Sequence, residues 1–286
     1  MACIKIKKIN AEGDYNEETT VEVMGIENDA NSVVKEVLEI LREKESIPET
    51  GELDSGDEDA RLTATLRSNE NFEHSCNFRI IVNESITPEL LRTAVERRSV
   101  DKVVSPYDEI DIPLDTGDIV TVVCAYSSSD TARFIFKDCW DKEMMNEDVT
   151  NEGGYYASKG RKHVMEDIYP RLPQEWRNIM KPRRMLEEIG DERIGYADPM
   201  WIPSATDILG TPEQCWWKDF DDGFQLPIFK KKRERVKECG DSGTFPYWLR
   251  SAHATGTGHF CRVYSDGCAG SDYASYSYGF APGFDI

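Results

Sequence analysis

The last forty residues, 247 to 286, constrain the fold more than any other part of this chain. They hold 5 Tyr, 5 Ser, 6 Gly and 5 Ala, and they contain neither Lys nor Glu, although 31% of the whole chain is charged. Glycine and small polar residues punctuate this stretch too often for long helices or strands. Tyrosine mixed with small adaptable residues is typical of binding loops, because tyrosine supplies rigid contact area at low entropy cost. The stretch therefore predicts short elements that carry a recognition surface.

Composition narrows the class of protein. The 286 residues, 39% of them hydrophobic, suffice for one large or two modest domains. The formal net charge is −20, and residues 1 to 60 hold 17 acids against 6 bases, which gives −11 for that part alone. Such a surface repels phosphate backbones, so we expect no nucleic-acid partner. Residues 1 to 8 lack an apolar signal core, and no run of about 18 apolar residues occurs, so we expect synthesis in the cytoplasm without a signal peptide or membrane insertion.

Periodicity predicts a small acidic α+β domain over residues 1 to 115, whose role the sequence does not indicate. A helix is predicted from Asn31 to Leu41, and another from Pro88 to about Ser99, where Thr87 precedes a proline at the first helical position. The acidic stretch 46–59 contains Pro48 and two glycines and is predicted to be an exposed loop. Strands are predicted at 4–9, 21–27, 61–66 and 78–82.

A composition shift at residues 113 to 117 places the predicted domain boundary between residues 115 and 116. Ser204 and Asp207 are predicted to cap a short helical turn that ends at Gly210. Beyond the boundary we predict strands at 118–126 and 133–136 and helices at 158–168 and 173–180. The predicted fold class is α+β for both domains.

A series of aromatic- and glycine-containing segments is spread over residues 117 to 286. The segments are Phe134-Ile135-Phe136-Lys137-Asp138-Cys139, Asn146-Glu147, Thr150-Asn151-Glu152-Gly153-Gly154-Tyr155, Trp201-Ile202-Pro203-Ser204, Ile208-Leu209-Gly210, Tyr247-Trp248-Leu249-Arg250-Ser251, Phe260-Cys261, Ser265-Asp266-Gly267 and Gly279-Phe280-Ala281-Pro282-Gly283-Phe284. This series resembles a family of uncharacterised phage and bacterial domains related to the C-type-lectin-like fold of formylglycine-generating enzymes. The resemblance implies a C-type-lectin-like domain over 116–286. Ala281 departs from the family pattern, which has a basic residue at that position.

The same fold resembles the variable proteins of diversity-generating retroelements, in which template adenines are randomised near the C-terminus. Asn occurs 11 times up to Asn178 and never afterwards, and residues 253 to 278 are filled by types that randomising an Asn codon can yield. The resemblance implies a hypervariable receptor-binding face. The alternative is that Gly and Ser here only satisfy tight turns.

The ligand-binding prediction comprises polar and aromatic residues between positions 253 and 278. They are His253, Thr255, Thr257, His259, Arg262, Tyr264, Cys268, Ser271, Asp272, Tyr273, Tyr276 and Tyr278. The scaffold core beneath them is predicted to be Trp248, Leu249, Phe260, Val263, Phe280 and Phe284. The expected partner is a cell-surface protein or glycan, bound without a cofactor, metal or catalytic residue. The N-terminal domain is expected to tether the protein to a phage particle, giving virion association, or to join copies into a homo-oligomer.

Three other hypotheses stay open at this point. The chain could be a structural phage or prophage component in which the C-terminal face makes a subunit interface. It could be a thiol-dependent oxidase, for which Cys261 and Cys268 are the candidate pair. His253 and His259 with these cysteines could also bind zinc, although the spacing fits no standard site. The basic run 230–237 is expected to be a solvated loop or hairpin edge rather than a polyanion site.

Overall fold

The computed structural model describes residues 86–189, 192–211, 217 and 223–286, together with five strands in the first 82 residues. The chain divides into two compact units, Met1–Thr87 and Pro88–Ile286. The sequence placed the boundary between residues 115 and 116 instead. The difference arises because the strand Glu109–Pro113 pairs with the strand Ile119–Ser127, so residues before 116 belong with the second unit.

The first unit contains one antiparallel sheet in the order β2-β1-β5-β4-β3. Its strands are β1 (Ala2–Ile9), β2 (Tyr15–Val23), β3 (Gly51–Gly56), β4 (Arg61–Ser68) and β5 (Cys76–Val82). The predicted strands at 4–9, 61–66 and 78–82 are confirmed, and the one at 21–27 begins earlier. The predicted loop at 46–59 is wrong where β3 pairs with β4, because ladder hydrogen bonds form whatever the side-chain charge. The predicted helix at 31–41 lies outside the described residues.

The second unit is mixed α+β with mostly sheet. Its α-helices are α1 (Pro88–Glu96), α2 (Val100–Val103), α3 (Gly154–Ala157), α4 (Lys159–Lys162), α5 (Gln174–Ile179) and α6 (Ala205–Leu209). A π-helix spans His163–Ile168, and 3₁₀ turns span Tyr169–Arg171, Pro227–Phe229 and Lys232–Arg235. Its strands are β6 (Glu109–Pro113), β7 (Ile119–Ser127), β8 (Ala132–Phe136), β9 (Asp141–Met144), β10 (Arg183–Ile189), β11 (Glu192–Asp198), β12 (Tyr247–Ala252), β13 (His259–Val263), β14 (Ala269–Tyr273), β15 (Ser277–Phe280) and β16 (Gly283–Asp285).

These strands form three sheets, β16-β8-β7-β6, β14-β13-β12-β15-β9 and the hairpin β10-β11. The last strand, β16, pairs with β8, which joins the end of the chain to its middle. The strands predicted at 118–126 and 133–136 and the helix at 173–180 are confirmed. The helix predicted at 158–168 is split into an α-helical turn and a π-helix. The capping box of Ser204 and Asp207 is present, and Gly210 follows α6 with a φ of +76°.

The predicted scaffold residues are all fully buried: Trp248, Leu249, Phe260, Val263, Phe280 and Phe284. A buried ion network lies beside this core. The Arg183 guanidinium makes two hydrogen bonds of 2.9 Å to the carboxylate of Asp207, which has no solvent exposure. Arg133 lies 3.9 Å from Asp207 and makes a bidentate pair with Asp285 on β16. Burial alone would raise the pKa of Asp207, but the charge and hydrogen bonds of Arg183 hold it well below its usual range.

Candidate functional site

The strands β13, β14 and β15 bring a cationic side chain between two tyrosine rings. The guanidinium carbon of Arg262 lies 4.2 Å from the ring centre of Tyr264 and 4.3 Å from that of Tyr278. Asp272 completes the group, because its Oδ2 lies 2.8 Å from Arg262 Nη2 and accepts a 2.8 Å hydrogen bond from the Tyr278 hydroxyl. Burial, followed in size of effect by the hydrogen bond to Asp272, raises the pKa of Tyr278 to about 12, so the phenol stays protonated at neutral pH.

Glycine makes this arrangement possible. Gly270 lies opposite Arg262 in the β13–β14 ladder, and a Cβ atom at position 270 would overlap the ring of Tyr264. The bare backbone therefore lets Tyr264 lie flat across β14 beside the guanidinium. At the hairpin tip, Gly267 has a φ of +81° and packs against the carbonyl of Lys232. Glycine here therefore serves a turn at position 267 and also leaves space for an aromatic ring at position 270.

A second group forms where β12 leads into β13. The His259 ring lies 4.4 Å from the Tyr273 ring and 6.1 Å from the His253 ring. His253 Nδ1 accepts hydrogen bonds from the backbone N–H groups of Thr255 and Gly256, at 3.2 and 2.9 Å. Burial and the nearby His259 lower the pKa of His253, in keeping with a neutral ring whose Nδ1 accepts. The loop conformation therefore depends on a neutral histidine.

Asn151 anchors this loop from a distant part of the chain. Its side-chain amide donates to the carbonyl oxygens of Gly256 and His259, both at 2.9 Å, and its backbone N–H donates to Thr257 O at 2.7 Å. Val149 packs against Gly258 and is 54% exposed at the edge of the loop. Sequence reasoning missed both residues as parts of the site. The segment 150–155 carried a signal, because it was one of the motifs behind the family resemblance.

Tyr276 joins the two groups, since its ring lies 5.7 Å from Tyr273 and 6.4 Å from Tyr278. We call the surface formed by these side chains the tyrosine face: His253, His259, Arg262, Tyr264, Asp272, Tyr273, Tyr276 and Tyr278. Tyr264, Tyr273 and Tyr276 expose 39%, 42% and 48% of their area, whereas Arg262 is buried beneath them. The face is thus an exposed aromatic layer over a hydrogen-bonded ionic one.

The other predicted ligand-binding residues lie beside the tyrosine face or away from it. Thr255 and Thr257 are exposed on the anchored loop. Ser271 is half-buried on β14 opposite Cys261. Cys268 is exposed at the hairpin tip, where its N–H donates to Asp266 Oδ1 at 3.0 Å.

Cys261 and Cys268 do not form a pair. Cys261 is buried on β13. Cys268 lies on the opposite side of the β13–β14 hairpin and pairs with Tyr264, which is three residues after Cys261. At about 3.3 Å per strand residue this separates their Cα atoms by roughly 10 Å, beyond the reach of a disulfide. The described residues contain no group of three or more His, Cys, Asp or Glu side chains placed to hold a metal ion. Within the part of the chain that the structure describes, no helix has the length and apolar character to cross a membrane.

The basic run was only partly understood from sequence. Its residues 230 to 233 are exposed, as predicted, and Lys232 pairs with Asp266 at 2.8 Å. Lys237, in contrast, is buried, and its Nζ donates to the carbonyl oxygens of Phe136 and Lys137. Burial lowers the pKa of Lys237 to about 8. A solvated run therefore ends in an ammonium group that holds the chain against the end of β8.

Comparison with known proteins gives a family but no function. Residues 128–286 match the family model described as a domain of unknown function, DUF6273. No curated protein and no solved structure matches the chain. The family match covers more than half of the 286 residues and includes every residue of the tyrosine face. The chain therefore belongs to the DUF6273 family.

Proposed function

We propose that this chain is a non-enzymatic recognition protein that binds a cell-surface protein or glycan through the tyrosine face. The observation that carries the proposal is the exposure of Tyr264, Tyr273 and Tyr276 over the Arg262–Asp272 ion pair. Large aromatic side chains cost free energy when left in water, and contiguous exposed groups of them are typical of interaction sites. The hydroxyl groups add hydrogen-bonding capacity to the same surface.

The way in which the face is held supports binding. Arg262 and Asp272 lie on the paired strands β13 and β14, and the Asp272 carboxylate joins the side chains of Arg262 and Tyr278. A surface ordered before binding loses less conformational entropy when the ligand arrives. Tyrosine rings stack on sugar rings and on protein side chains alike, so the face suits both classes of ligand. The proposal includes a C-type-lectin-like fold for residues 116–286 and diversification of the face by a retroelement.

The proposal is tested with a triple variant, Tyr264→Ala, Tyr273→Ala and Tyr276→Ala. These side chains are exposed, so folding should survive, while binding to intact bacterial cells should fall at least about tenfold because anchor tyrosines dominate interface energies. The matched control changes Ile119 and Tyr156, which are exposed elsewhere in the second unit. Binding is measured with the labelled full-length chain by flow cytometry. Equal binding by both variants would refute the face as the site.

The class of ligand follows from treating the cells before binding. Loss of binding after proteolysis indicates a surface protein, and loss after periodate oxidation indicates a glycan. Sequencing codons 247–286 in a natural population, with the N-terminal codons as control, tests diversification. Substitutions concentrated at adenines within codons 253–278 are expected; a uniform C-terminus would refute diversification but leave a fixed binding face.

The same exposed face could instead pack against a second copy of the chain, as a structural phage component would require. Sedimentation of the wild type and the triple variant distinguishes the two roles. If the wild type forms an oligomer and the triple variant is a monomer, the structural role is favoured. An unchanged size together with lost cell binding would favour recognition.

A further inference from the structure

Two cysteines that are distant in sequence lie side by side near the end of β8. The Cys139 N–H donates to Glu238 O at 2.8 Å, and the Glu238 N–H donates to Asp138 Oδ1 at 2.9 Å. These bonds hold residues 138–139 against residues 238–239. The two thiols are close enough for each to influence the pKa of the other, and the Cys239 thiol donates to Asp141 O at 3.7 Å. Both cysteines are reduced in this structure.

Cys139 is enclosed on one side and lines a cleft on the other, whereas Cys239 is buried. Cys139 packs against Gly279 so closely that a Cβ atom there would overlap its sulfur. On the other side, Cys139 and Trp140 line a cleft of about 370 Å³ together with Thr121. The cleft therefore offers a small disulfide reagent a route to Cys139.

We propose that Cys139 and Cys239 form a dithiol modification site, which closes to an intrachain disulfide when the folded protein meets a low-molecular-weight disulfide such as oxidised glutathione. The Cys139 thiolate attacks one sulfur of the reagent and releases one reduced thiol. The Cys239 thiolate then attacks the mixed disulfide at Cys139 and releases the second. The protein loses two protons and two electrons, and the reagent gains both and becomes two thiols.

The surroundings of the pair determine its reactivity. Burial raises the pKa of Cys139 to about 12 and also raises the pKa of Cys239. Few thiolates are present at neutral pH, so the disulfide should form slowly. The rate should rise about tenfold per pH unit while the thiolate fraction grows. Cys268 differs from this pair in access, because it is exposed at the hairpin tip.

The disulfide would stabilise the strands that carry the tyrosine face. It would tie the segment before β12 to the segment between β8 and β9, and Gly279 beside the pair directly follows Tyr278. A bridge between residues 139 and 239 closes a long loop, and long loops lose the most conformational entropy in the unfolded chain. We therefore expect the oxidised protein to unfold roughly 10 °C higher than the reduced protein.

The test uses the folded full-length chain with oxidised glutathione, followed by intact mass measurement and peptide mapping under non-reducing conditions. The expected result is a cross-link between the peptides containing Cys139 and Cys239, with a mass about 2 Da below the sum of the two, and a higher unfolding temperature that a reductant reverses. The single variants Cys139→Ser and Cys239→Ser should each lack the cross-link and the thermal shift. The matched control Cys268→Ser should keep both.

Three results would overturn the proposal. The first is a stable glutathione adduct on Cys139 or Cys239 without the cross-link. The second is a cross-link that forms only after denaturation, which would show that the native geometry does not favour it. The third is no reaction of this pair, even in alkaline buffer, under conditions in which Cys268 is fully modified. Because none of these measurements involves a cell-surface ligand, they are independent of the proposed recognition function.

Discussion

Replacing Asp207 by Asn is expected to destabilise the second unit more than any exposed charge substitution. Asp207 is fully buried, and its carboxylate accepts two hydrogen bonds from the Arg183 guanidinium, which is itself buried. The substitution keeps the size of the side chain but removes its charge. The buried Arg183 cation then loses the negative charge of Asp207, and Asn can offer only one oxygen to it.

The magnitude follows from this geometry. Removing one partner of a buried ion pair costs about 3–5 kcal/mol, because the other charge stays desolvated. Asp207 Oδ2 also accepts from the Ser204 N–H in the capping box of α6, and an amide oxygen can replace that bond. The loss in the free energy of unfolding should therefore be about 4 kcal/mol. For a unit of this size the expected fall in unfolding temperature is roughly 8–16 °C.

Tryptophan fluorescence isolates the relevant transition, because all six tryptophans lie between Trp140 and Trp248, inside the second unit. Urea unfolding of wild type and Asp207→Asn gives the difference in the free energy of unfolding. The folded-state pKa of Asp207 lies below its unfolded value of about 3.9, so its stabilising contribution is present above that pH and is lost as pH falls below it. The difference between wild type and variant should therefore shrink below about pH 4.

The matched control is Asp266→Asn, which removes an exposed partner of Lys232 and should leave the urea midpoint nearly unchanged. A double-mutant cycle with Arg183→Gln should give a coupling energy of about 2 kcal/mol or more. If Asp207→Asn cost less than about 1 kcal/mol, or if the two substitutions were additive, the buried network would not stabilise this unit as argued.

Two further predictions concern the scaffold and the face. Burial alone would lower the pKa of His163, but hydrogen bonds to two carboxylates raise it, so its contribution to stability is full below about pH 6.5 and is lost as pH rises through the folded pKa. The loss of stability in His163→Gln, measured by urea unfolding, should therefore be larger at about pH 5.5 than at about pH 9; an equal loss at both would contradict the ion pairs. Gly270→Ala should displace the Tyr264 ring from Arg262 and so shift the side-chain Nε–H resonance of Arg262 in an NMR spectrum. Cell binding should fall while the unfolding temperature changes little. An unshifted Arg262 resonance would contradict the contact between Gly270 and the Tyr264 ring.

The sequence predicted local elements well because their signals are local. Strands β7 and β8 follow from buried runs, and the cap of α6 follows from Ser204 and Asp207. These features depend on neighbouring residues along the chain, which periodicity and capping rules describe.

Contacts between distant segments could not be predicted in the same way. Asn151 anchors a loop about a hundred residues later, and Lys237 caps the carbonyl oxygens at the end of β8. The pairing of Cys139 with Cys239 also depends on two segments that meet only in the folded chain. A single sequence contains no covariation that would reveal such pairs. Arg262 was predicted from sequence as a ligand-binding residue, but its burial between two tyrosines depends on β13, β14 and β15 together.

The contacts within the tyrosine face limit how it could diversify under the proposed function. Tyr273 and Tyr276 project from the surface, and substitution there removes exposed contact area without exposing core. Arg262 and Asp272 are different, because they form an ion pair. Replacing Asp272 removes a carboxylate from beside the buried Arg262 cation, and replacing Arg262 removes the cation from beside the half-buried Asp272 carboxylate. Position 270 must remain glycine while the Tyr264 ring covers it, because a Cβ atom there would overlap that ring. A diversified face built on this scaffold would therefore vary at the outer tyrosines while the ion pair beneath them stays fixed or changes as a pair.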